Sequence, residues 1–166
     1  MAAPTWVDGQ VLAAADVNSW FVPIAAYKSS DTARAVNGTS ADPDLSVSVA
    51  ASAVYSVDCV LYFKGSLIDA SIQWKFNIPS GTAGGLYYAS YFSTATGQPE
   101  LIEADQWADL HTSAASTTGV IYPIQIDGTL AIGVTAGTFA LSWGGISATP
   151  TITLTARSKM VLQRIG

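Results

Sequence analysis

Side chains able to act as nucleophile, base or metal ligand are sparse in this chain. His111 is its single histidine and Cys59 its single cysteine. Catalysis by a Ser-His-Asp or Cys-His arrangement would have to run through His111. Ser113 and Ser116 follow it closely. No Gly-x-Ser-x-Gly elbow is present to expose a nucleophile, and the surroundings of His111 read as an exposed loop. Zinc needs several Cys or His ligands, so one of each leaves no such site within a single chain. Glu100, Glu103, Asp105 and Asp109 form the one acidic cluster, with Trp107 inside it. Paired carboxylates can hydrolyse glycosides or ligate calcium, and an aromatic face can stack on a sugar. The spacing matches no EF-hand loop and offers no matched acid–base pair. A solvated acidic loop is the plainer expectation, with Trp107 packed over the edge of the fold. P-loop, Rossmann and metalloprotease signatures do not occur. The sequence therefore predicts no enzyme, no cofactor and no bound metal.

The elements that would position these residues read as strands. From 124 to 134, Ile124, Ile126, Leu130, Ile132 and Val134 alternate with Gln125, Asp127, Thr129, Ala131 and Gly133. Such alternation puts one set of side chains on one face of a sheet. Asp127-Gly128 reads as a hairpin turn or a bulge inside that run. The segment 68–78 repeats the pattern with Ile68, Ile72, Trp74, Phe76 and Ile78. Shorter alternating runs lie at 45–49, 139–143 and 152–154. Two segments, 54–63 and 157–165, are apolar on both faces. A strand of that kind is central in a layered fold or lies at a subunit interface. Tyr62, Val161 and Ile165 are the candidate interface residues. Cys59 sits within the apolar run Tyr55-Ser56-Val57-Asp58-Cys59-Val60-Leu61, as a buried inert thiol would. Turn signals separate the strands, among them Asn37-Gly38, Asp42-Pro43, Gly84-Gly85 and Gly144-Gly145. Short strands at such spacing indicate a sandwich or jelly roll. The segment 101–110 reads as a loop or a single helical turn.

Composition narrows the function. Charged residues make up 11% of the chain, against roughly 25% in an average soluble protein. Hydrophobic residues reach 49%. A surface poor in charge suits a protein that packs against copies of itself or a larger assembly. A net charge of −5, with seven scattered Lys and Arg, argues against nucleic acid, which demands a basic patch. No apolar run of about 18 residues predicts a membrane span, and no secretory leader is recognisable.

Residues 1–30 form a distinct opening segment, with a short helix expected at about 13–20. The order Gly9-Gln10-Val11-Leu12 followed by Ala14-Ala15-Asp16-Val17-Asn18 resembles the start of small virion structural proteins of actinobacterial phages, the head decoration, head fibre and minor tail proteins. The hairpin around Ala136-Gly137-Thr138-Phe139-Ala140-Leu141-Ser142-Trp143 and the closing strand Ser158-Lys159-Met160-Val161-Leu162-Gln163-Arg164-Ile165 are similar to that family too. It usually carries Thr or Ser where Ala13 stands, so the capping box with Asp16 is missing here. The resemblance implies a homotrimer with a sandwich-like outer domain and an N-terminal segment docked on the particle.

The expectation is thus an all-β, antiparallel jelly-roll-like β-sandwich over 31–166, preceded by an anchoring arm with a short helix over 1–30. Its function would be capsid decoration in a virion assembled in the bacterial cytoplasm. Trp6, Val11, Leu12, Trp20 and Phe21 would bind the major capsid protein, as aromatic anchors do at interfaces. In the other reading, a minor tail or tail-fibre protein contacts host glycans through Tyr87, Tyr88, Tyr91 and Trp107.

Overall fold

In the computed structural model of the chain, residue 11 and residues 14–90, 100–103, 106–115 and 117–166 are described. Among them runs a short helix, α1 (Ala14–Phe21), then strands β1 (Ile24–Tyr27), β2 (Thr32–Arg34), β3 (Ser40–Val49), β4 (Val54–Gly65), β5 (Ala70–Asn77) and β6 (Leu86–Ser90). They are followed by β7 (Glu100–Glu103), β8 (His111–Ala115), β9 (Tyr122–Ala131), β10 (Gly137–Gly145), β11 (Ile152–Leu154) and β12 (Lys159–Arg164).

The strands make two antiparallel sheets. The larger runs β1-β12-β4-β9-β6-β7, with β11 beside β4 and β2 beside β11; the smaller runs β3-β10-β5-β8. From β3 to β5, and again from β8 to β10, each strand crosses to the opposite sheet. Without the β6–β7 hairpin and the β2–β11 pair, the order is β1-β12-β4-β9 over β3-β10-β5-β8. Two four-stranded layers wound in this way are a jelly roll. The all-β antiparallel sandwich expected from the sequence is present.

Alternation selects the core. Ile124, Ile126 and Leu130 of β9 meet Ile72, Trp74 and Phe76 of β5 in one buried cluster, while Gln125 and Asp127 point outward. Val134 and Ile68, placed on those same faces by the sequence, are exposed because they fall beyond the strand ends. Strand β4 is central, paired with β9 on one side and with β12 and β11 on the other. Its Tyr55, Val57, Cys59, Leu61 and Phe63 face the core. Burial pushes the Cys59 thiol pKa far up, aided by the nearby Asp58 and Asp127 charges, so this thiol stays protonated.

Several local expectations change. Asp127-Gly128 is neither turn nor bulge: both residues lie in register inside β9, opposite Asp58 and Val57. Glycine is required there because a Cβ would stand 2.4 Å from the Gly85 carbonyl oxygen and 2.8 Å from the Trp107 ring. Asp42-Pro43 is not a turn between strands but part of β3, where the register with β10 shifts. Proline is tolerated there because β3 is an edge strand and the shift relieves the ladder of one donor. Residues 100–103, expected as loop, pair with β6. Strand β1 pairs with β12, so the sandwich begins at Ile24 and not at residue 31.

Candidate functional site

The residues that suggested chemistry lie inside the sandwich. His111 is buried on β8, not exposed on a loop, with its ring 4.5 Å from Trp74 and 5.1 Å from Tyr88. Trp107 is 1% exposed. Its ring packs edge-on against Phe76 and Phe139 at 5.3 and 5.2 Å, and its Nε1 donates to the Thr129 carbonyl at 2.8 Å. Tyr88 is 3% exposed and packs edge-on against Trp74. A sugar cannot stack on rings closed in this way, so Trp107 and Tyr88 are not glycan contacts. Tyr91 lies outside the described residues. Tyr87 is 54% exposed on β6 and remains accessible. Among the described residues no group of three His, Cys, Asp or Glu side chains could hold a metal ion. Among them, too, no helix is long and apolar enough to cross a membrane.

A buried charge network fixes the root of the arm. Lys28 Nζ donates to Asp42 Oδ2 at 3.0 Å, and both side chains are fully buried. Trp143 Nε1 donates to the same oxygen at 2.8 Å, while the amides of Asp44 and Leu45 donate to Oδ1. Burial raises the Asp42 pKa, but the hydrogen bonds from Trp143, Lys28 and the Asp44 amide, together with the Lys28 charge, outweigh it. The carboxyl is held below its ordinary value. Arg34 lies 4.1 Å over the Trp143 ring and donates to the carbonyls of Ser40, Ala41 and Trp143. Ser29 adds two donors to Asp44. The chain leaving β1 is therefore tied to β3 and β10 of the opposite sheet. The sequence pattern did not reveal this cluster: Lys28 and Asp42 lie 14 residues apart, each near polar residues, and Trp143 is far from both along the chain.

Beyond β1 in the N-terminal direction, the arm carries apolar groups in solvent. Val11 is 91% exposed, and Phe21 and Val22 at the end of α1 are exposed too. Of the other proposed anchors, Trp6 and Leu12 lie outside the described residues, and Trp20 is described only as part of the α1 backbone. A cavity of about 350 Å³ lies between the arm and the sandwich, lined in part by Asn18, Val22, Ile24, Tyr55 and Arg164.

The outer face of the larger sheet is the second surface. Residues opposite one another across antiparallel strands share a face. One row runs Tyr27, Lys159, Val60, Gln125, Ala89, and the next runs Ala25, Val161, Asp58, Asp127, Tyr87. Tyr62 stands opposite Pro123 on the same face. Ile165 follows β12 in outward phase with Val161, exposed, its amide donating to the Val54 carbonyl. Tyr62, Val161 and Ile165 thus share a face with Lys159, Asp58 and Asp127.

No protein-family model matches the chain, and neither does any curated protein. Among solved structures, it is similar to chains from the structure of infectious bursal disease virus Gt strain (12% identity, TM-score 0.23) and of the Gx strain (13%, TM-score 0.25). A third is from the crystal structure of infectious bursal disease virus VP2 subviral particle (11%, TM-score 0.22). The matches cover 99%, 99% and 87% of this chain but only 43%, 43% and 36% of those chains. The chain spans less than half their length, and so slight a likeness carries no argument about function.

Proposed function

We propose that this chain is a non-enzymatic structural protein of a bacteriophage particle, a self-associating decoration protein docked through its N-terminal arm on the major capsid protein. The observation that carries the reading is the division of labour at Ile24. The core closes from β1 onward, with Lys28 locked to Asp42, while α1 and the residues around it hold Val11, Phe21 and Val22 in solvent. A helix that exposes apolar side chains at its end is suited to a groove on a partner. The resemblance of the opening segment to phage virion proteins supports the same reading. Jelly rolls occur in viral capsids and in lectins alike, so fold alone does not choose between roles. The burial of Trp107 and Tyr88 favours decoration over glycan binding at a tail tip.

Deletion of residues 1–21 tests the anchor. The shortened chain should keep the thermal melting curve of the full chain and lose binding to particles that lack the protein. A shortened chain that still saturates such particles would overturn the assignment.

A further inference from the structure

We infer that the outer face of the larger sheet takes a second copy of this chain head to tail, the β12 side of one copy seated on the β9–β6 side of the next. The inference rests on the self-association proposed above and assigns it a surface and a direction. The charges on this face are separated. Lys159 stands on β12 and the exposed Arg157 in the turn before it, while Lys64 stands at the end of β4, opposite Thr153 of β11. Asp58 on β4 and Asp127 on β9 stand directly opposite each other in register, with Tyr87 of β6 next in the row. Like charges facing across a strand pair destabilise it. Within the chain little offsets this. Among the described residues Asp58 takes part in no ion pair or side-chain hydrogen bond, and Asp127 accepts one bond, from Gln125 Nε2 at 3.2 Å. Lys159 makes no ion pair among the described residues either, although it lies one row from Asp58. Lys64 reaches only the exposed Asp31, at 3.6 Å.

A neighbouring copy supplies what is lacking. Its Lys159 brings a cation to the Asp58–Asp127 pair, while Val161 and Tyr27 beside that lysine cover the exposed Tyr87. The positive and negative regions differ in position, so the contact is between unlike patches. A head-to-tail contact repeats one rotation and closes into a ring where that rotation is a whole fraction of a turn; a wild-type chain that stops at a dimer would mean a twofold contact and would overturn the head-to-tail direction.

Sedimentation velocity of the full chain over a range of concentration and salt tests this. The wild-type chain should form a closed oligomer that loosens as salt rises, because charge complementarity is screened. Asp127→Lys and Lys159→Glu should each raise the dissociation constant by more than about tenfold through like-charge contact. The double variant Asp127→Lys/Lys159→Glu should return it close to the wild-type value. Both side chains point away from the core, and circular dichroism melts of each variant check that it folds. Single variants that assemble like wild type, or a double variant that stays dissociated, would overturn the head-to-tail assignment while leaving the virion role standing. A strictly monomeric wild-type chain would overturn it as well, and its absence from particles would remove the proposed function too.

Discussion

Asp42 shows how one carboxylate can hold two sheets and the base of an arm together. It receives Lys28 from the segment after β1, Trp143 from β10, and two amides from its own strand. Removing one member of a buried ion pair leaves the other charge uncompensated, at about 3–5 kcal/mol. Asp42→Asn should therefore lower the unfolding free energy by that amount in urea titration. The pH dependence follows from the sign of the shift. The folded carboxyl titrates below its ordinary value, so the unfolded chain binds the proton more readily. Its stabilisation is complete above the unfolded value, about 3.9, and is lost as pH falls through the lower folded value. Urea midpoints measured at and below about pH 4 should fall less steeply in Asp42→Asn than in the wild type. The sequence suggested a turn at Asp42-Pro43 because proline after aspartate is a turn signal. What overrides it is long-range: partners at 28 and 143, which no local window contains.

At the scale of elements, β9 and Trp107 are fitted to one another. The indole lies over Gly128 and donates to the carbonyl of Thr129. Gly128→Ala would drive a methyl into the Gly85 carbonyl and the indole, and overpacking of this sort costs about 1–3 kcal/mol. Trp107→Ala should cost about 3–5 kcal/mol through the cavity left between Phe76 and Phe139. The two losses should add to less than their sum in the double variant, since removing the indole frees space for the methyl; urea unfolding of all three variants measures this. Strands with strong alternation, such as β4, β5 and β9, were legible from the residues alone. Strands β1, β2, β7 and β8 were not. They are short, or made of small and polar residues, and they owe their conformation to the neighbours they pair with. For the same reason His111 read as a loop residue, when pairing with β5 brings it into the core.

At the scale of the molecule, short alternating strands separated by turn signals pointed to a sandwich, and the strand order makes it a jelly roll. Of the surfaces named from sequence, Tyr62, Val161 and Ile165 do lie on one face. That grouping was legible because β4 and β12 are apolar on both sides, where a sandwich strand normally keeps one side wet. The charge separation across the same face was not legible, because Asp58 and Asp127 are far apart in sequence and meet only through the β4–β9 register. In the proposed function the exposed arm holds the chain to a larger particle and the outer face holds it to its own copies.

Imaging purified phage particles that encode this chain, with and without its gene, tests that claim most directly. The expected result is added density at fixed symmetric positions on the head, fitted by clustered copies of the jelly roll with α1 toward the shell. Particles whose images are identical with and without the gene, and whose protein content never includes the chain, would contradict it.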